Sequence, residues 1–209
     1  MESTATKRLP ESVDLMALDS SGNLREDVGL DELPGYLSDK EALVWCDLYR
    51  TEGGQNGPYG RLLSETFVFD ELTVEDCFIK SHLPKVDVYE NYLFIALFSF
   101  HLSEKRRRVE TVEVDMYLGK NYVVCVHSRP LRELDRVRRR LSGNEFVSSS
   151  PANVAPTVLD AVVDEYLPIM SRLPGMVDGI EDELLSEEEY PDDAVVLDTL
   201  FHLKHESRR

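Results

Sequence analysis

The run VETVEVDMYLGKNYVVCVH, residues 109–127, decides the fold class. Glu110, Val112, Val114, Met116 and Leu118 alternate with Val109, Thr111, Glu113, Asp115 and Tyr117. Alternation of this kind marks a half-buried strand, and the set containing Val112, Val114 and Met116 is expected to face inward. Gly119, Lys120 and Asn121 supply a hairpin turn into a second strand, YVVCVH. Upstream, residues 85–89 and 91–102 read as two further strands. The basic residues 105–108 then fall at a hairpin tip, where charge is solvated.

Working outward, residues 13–18 and 42–49 read as strands, the second (ALVWCDLY) dense in β-forming side chains. Residues 53–58, GGQNGP, form a loop without the Gly-Lys-Ser/Thr of a phosphate-binding loop. Residues 61–69 and 73–79 read as short helices. Residues 130–141 read as a basic helix with Pro130 in its first turn. Residues 13–141 therefore read as strands with helices between and after them.

Beyond a serine-rich linker at 142–151 the strand signal stops. Leu159, Val162, Val163, Tyr166, Ile169, Met170, Leu173, Met176, Val177, Ile180 and Leu184 recur at helical spacing. Thr157 and Asp160 have capping-box spacing. Pro168 and Pro174 remove amides that would bond to Asp164 and Met170, which predicts a kink near Pro174 or a break into two helices. After an acidic turn at 187–193, residues 194–209 resume the helical pattern and end without a stop signal, as in a chain continuing past Arg209. The expected division is a disordered segment at 1–10, an α/β domain at 11–150 and a helical extension at 151–209.

The formal net charge of the 209 residues is -17 at pH 7. That disfavours nucleic acid and anionic membrane surfaces as partners, and leaves divalent cations or basic partners open. It is equally what solubility requires. The longest apolar stretch, 92–100, is less than half of the about 20 residues a membrane-spanning helix needs. Three cysteines in no CxxC pair fit a reducing cytoplasm. The five histidines are scattered; His202 and His205 stand three apart on one helix face and could hold a transition metal, but surface histidines are more often bystanders. No nucleophile has a recognisable elbow or base, so no enzyme is expected.

Two stretches resemble the cytoplasmic domain of the CorA family of magnesium transporters. In residues 74–100, VEDCFIKSHLPKVDVYENYLFIALFSF, the matching residues are Glu75, Asp76, Pro84, Lys85, Val86, Asp87, Tyr92, Leu93 and Phe94. Residues 158–185, VLDAVVDEYLPIMSRLPGMVDGIEDELL, are similar to the family's long acidic helix. LGKNYVVCVH and FHLKHESRR match two further elements, and all occur in the family's order. The gly-met-asn signature and the membrane helices are not in this sequence.

The resemblance implies an α-β-α sandwich with a mixed central sheet, followed by a C-terminal antiparallel helix pair. It implies a homopentamer in a cell membrane, with this segment cytoplasmic, transporting Mg, Co or Zn. It places a regulatory Mg site between subunits at Glu75, Asp76 and Asp160, holding the channel closed. Ser81 stands where the family has a histidine, with His82 adjacent, which puts a second site in doubt. Read from the residues alone, Glu75 and Asp76 are instead acids at the start of a short helix, favoured by its dipole. Asp160 is equally a capping residue. The competing functions are a ZntB-like zinc transporter domain and a free-standing acidic scaffold.

Overall fold

A computed structural model of the chain describes residues 13–49, 54–79, 83–103, 108–143 and 150–185, with side chains described up to residue 179. The expected segment at 1–10, the hairpin tip at 105–107, Ser81, His82 and the final helix at 194–209 lie outside the described residues.

The strand-forming runs pair into one seven-stranded sheet of order β2-β1-β3-β7-β6-β5-β4. The strands are β1 (Val13–Leu18), β2 (Leu24–Arg25), β3 (Leu43–Tyr49), β4 (Lys85–Val88), β5 (Tyr92–Ser103), β6 (Arg108–Gly119) and β7 (Tyr122–His127). β3 and β7 run parallel, from Val44 opposite Tyr122 to Tyr49 opposite His127. The pairs β1–β3, β6–β7 and β4–β5 are antiparallel, so the sheet is mixed, as expected. β3 and β7 read as continuous apolar runs because both their faces are covered.

Alternate residues of the strands feed two layers. On one face Leu15, Val44, Cys46, Leu48, Val124, Val126 and Phe94 join a core with Leu33 of α1 (Leu33–Ser38) and Tyr59 of α2 (Pro58–Arg61). A π turn at Leu62–Thr66 and α3 (Glu71–Asp76) complete that layer. On the other face lies α4 (Arg132–Ser142), whose Arg138 pairs with Asp14 of β1. α5 (Pro151–Val163) buries Val154, Ala155 and Val158 outside the first core.

The expected facing of β6 needs correction. Val112, Val114 and Met116 are buried as predicted, but so are Glu113, Asp115 and Tyr117 on the opposite side. Helical elements from residues 58–78 cover the face that the alternation marked as outward. Tyr117 stacks flat on Phe69, with ring centroids 3.8 Å apart. Phe67 and Phe69 both insert into this core, and exposed Val68 between them takes φ 58°, a left-handed conformation that β-branched residues avoid.

Two helix details differ from expectation, and a third is met in part. Pro130 lies before α4, which starts at Arg132 with Leu131 as its N-cap. Thr157 is interior to α5 and donates to the carbonyl of Asn153, so it forms no capping box with Asp160. Of the two proline outcomes expected, the break into two helices is the one observed, and it falls at Pro168 rather than Pro174. The helix breaks at Asp164–Glu165, ahead of α6 (Tyr166–Leu185), because the carbonyl of Asp164 has no amide to receive at Pro168. Pro174 stays inside α6.

Contacts divide the chain into two units. The first contains Met1–Leu97 and Glu113–Ala161; the second contains Phe98–Val112 and Val162–Arg209. Within the second, the Tyr166 hydroxyl donates to the carbonyl of Phe98 at 2.5 Å and its ring meets Phe100 edge-on. Among the described residues no helix is long and apolar enough to cross a membrane.

Candidate metal centre

The residues around α3 show how Glu75 and Asp76 are placed. Asp70 caps the helix, its Oδ1 accepting from the amide of Leu72. The Tyr92 hydroxyl accepts from the amide of Asp70 at 3.0 Å. It also donates to Thr73 Oγ1 at 3.2 Å, because the Thr73 proton is committed to the carbonyl of Asp70. Tyr117 donates to the carbonyl of Thr73 at 2.8 Å, so its oxygen is left to accept from the Cys77 thiol at 3.1 Å. Burial pushes the Tyr117 phenol far above its ordinary value, so it remains a donor. Two buried tyrosines from the sheet thus pin a helix of six residues, one too short to be stable alone.

This placement overturns the helix-start reading of the acids. Asp70 is the N-cap and Glu71 occupies the first turn, so Glu75 and Asp76 stand at the C-terminal end of α3. There the dipole disfavours negative charge. Glu75 is exposed and Asp76 half-buried. The cost is offset at Asp76 by Lys85 of β4, whose Nζ lies 2.5 Å from Asp76 Oδ2 and 3.0 Å from Asp87 Oδ2. The same ammonium sits 5.2 Å from the centre of the buried Phe94 ring. Its bond to Asp76, ahead of that to Asp87, raises the Lys85 pKa well above the ordinary lysine value, so it stays charged at neutral pH.

Asp160 lies on α5 and is exposed. Among the described residues no three His, Cys, Asp or Glu side chains gather closely enough to hold a metal ion. Glu75 and Asp76 are neighbours on one helix end, and Asp160 is not brought into a common cluster with them. Their oxygen donors are of the kind a hard cation such as Mg2+ or Ca2+ takes.

Sequence reasoning passed over Lys85 as a site residue, and Tyr92 and Tyr117 as its supports. Asp70, directly before ELTVED, was a readable N-cap signal that would have put the acids at the correct helix end. On the same helix and in the turn that follows it, Leu72 and Ile79 are exposed.

Residues 22–208 match the family described as CorA-like Mg2+ transporter protein. The chain is 30% identical over 142 residues to YfjQ of Bacillus subtilis, a protein named for metal ion transport, covering 68% of this chain and 42% of that protein. It is 29% identical over 129 residues to the cobalt/magnesium transport protein CorA of Thermotoga maritima, covering 61% and 37%. The chain therefore spans about two fifths of the length of these relatives. The fold is shared with the soluble domain of CorA from Methanocaldococcus jannaschii, at a TM-score of 0.59 and 15% identity over 92% of this chain and 70% of that one. It is shared also with the ZntB cytoplasmic domain from Vibrio parahaemolyticus, at 0.55 and 14% over 92% and 74%. An α/β sandwich with this strand order and a match over most of its length make this chain a member of the family of CorA-like Mg2+ transporter proteins.

Proposed function

We propose that this chain is the cytoplasmic, divalent-cation-sensing domain of a CorA-like magnesium transport channel. Mg2+ binds at interfaces between subunits of a homopentamer, through Glu75, Asp76 and Asp160, and favours the closed state. Residues 151–209 form the extension leading towards a stalk and membrane part. The observation that carries this reading is the placement of Glu75 and Asp76. A tyrosine-anchored helix holds both acids at its unfavourable end, and among the described residues no third His, Cys, Asp or Glu joins them closely enough to complete a metal site. Such a half-site is completed by a neighbouring subunit.

A divalent ion shared between subunits couples its concentration to their packing, since a ligand shifts an equilibrium by its differential affinity for the two states. The oxygen-only donors favour Mg2+ over the zinc preferred by nitrogen and sulfur ligands, which sets the ZntB-like reading second for this site. Co and Zn remain candidates for the transported ion. A free-standing acidic scaffold would use the same surface but show no metal response. In cells, full-length Asp76→Asn protein is expected to keep taking up Mg2+ at internal concentrations that silence the native protein. Silencing of Asp76→Asn at the native concentration would refute the reading.

A further inference from the structure

We propose that Lys85 is a resident cation of the carboxylate site, which an incoming divalent ion must displace from Asp76; this rests on Asp76 being a sensor ligand. Its ammonium already occupies Oδ2 of Asp76 at 2.5 Å and holds Asp87 at 3.0 Å. A divalent ion on the same carboxylate, at about 2.0–2.6 Å from its oxygen, brings two positive charges against the ammonium, so the two cations compete for Asp76.

The local structure makes that displacement feasible and limited. Lys85 pairs with Ala96 across the β4–β5 ladder, and Asp87 with Phe94. Lys85 and Asp87 are two apart on one strand, so they share a face. When Asp76 is taken by a metal, the ammonium keeps Asp87 and the Phe94 ring as partners. Its side chain is 35% exposed, so the exchange needs no opening of the core. Asp87 is then the second partner that lowers the cost of release, and Lys85 sets the concentration at which the site responds. The sensor reading alone contains no such competitor: it treats Asp76 as an unencumbered ligand.

Mg2+ alone is the probe, titrated into the assembled full-length protein, with protection from limited proteolysis as the readout. Lys85→Met is expected to lower the half-saturating Mg2+ concentration by about three- to fivefold, the worth of a partly exposed ion pair. Lys85→Gln, which is also neutral but retains a polar head, moves it the same way and serves if the Met variant fails to fold. Lys85→Arg stays within about twofold of native, because the charge persists. Lys120→Met, at the exposed β6–β7 turn, makes the same change in net charge and is expected to leave the midpoint in place. An unchanged midpoint in both neutral Lys85 variants would overturn the proposal, as would an equal shift in Lys120→Met. If Asp76→Asn abolishes protection while the Lys85 variants do nothing, displacement is wrong and the sensor stands. If Asp76→Asn behaves as native, the sensor reading itself has failed.

Discussion

Tyr117 links the central sheet to the acids on α3. Its ring stacks on Phe69 and its hydroxyl bridges the Thr73 carbonyl and the Cys77 thiol, all out of contact with water. Removing only the hydroxyl leaves a buried carbonyl without that donor. Tyr117→Phe is therefore expected to cost about 1–3 kcal/mol in urea unfolding, with little change in the rest of the core. A loss below a few tenths of a kcal/mol would mean that the hydroxyl does not hold α3. His127 offers a separate residue-scale test. Its ring nitrogens face two acceptors, Asp47 Oδ1 at 2.7 Å and the Arg129 carbonyl at 2.5 Å. Satisfying both needs the doubly protonated ring. Burial alone would lower its pKa, but the Asp47 bond and charge and the Arg129 carbonyl outweigh it, and the net shift is upward. The folded state thus favours the proton. The resulting stability is complete below the unfolded value of about 6.5 and lost as pH rises through the higher folded value. The stability gap between native protein and His127→Asn is expected to be larger at about pH 6 than at about pH 9. A gap that widens with pH would contradict this protonation state.

The elements divide by how local their causes are. β1, β3, β5 and β7 are legible in the sequence because apolar runs bounded by turn residues need no distant partner to be recognised. The second face of β6 is not legible: what buries Tyr117 comes from residues 67–77, some 40 positions earlier, and alternation records only the strand's own side chains. The acids of α3 were recognisable by resemblance. Their position at the C-terminal helix end follows from the Asp70 cap, and the engagement of Asp76 with Lys85 nine residues on depends on how β4 docks beside the helix. The break at Asp164–Glu165 was half legible, since Pro168 was identified as removing a bond but Pro174 drew the prediction. The turn into α3 makes its own prediction. Val68 holds φ 58° with its side chain 75% exposed, so it bears backbone strain without burying apolar surface. Val68→Asn is expected to raise stability by about 1 kcal/mol, measured by chemical denaturation, because asparagine tolerates this conformation. A destabilised variant would show that the turn, not the residue, carries the strain.

For the whole molecule, net charge -17 did not itself indicate cation sensing, since solubility accounts for it equally. The proposed sensor would use only the part of that charge at one helix end. The chain covers about two fifths of the relatives' lengths, so the assembled protein is where the claim must be tested. The most direct measurement is a Mg2+ titration of the assembled full-length protein, followed by protection from proteolysis, for native and Asp76→Asn chains side by side. The native protein is expected to become protected with a midpoint of about 0.1–1 mM, the weak affinity of an open, partly hydrated oxygen site, and Asp76→Asn to shift that midpoint at least about tenfold higher. Equal midpoints for the two proteins would contradict a sensor built on Asp76.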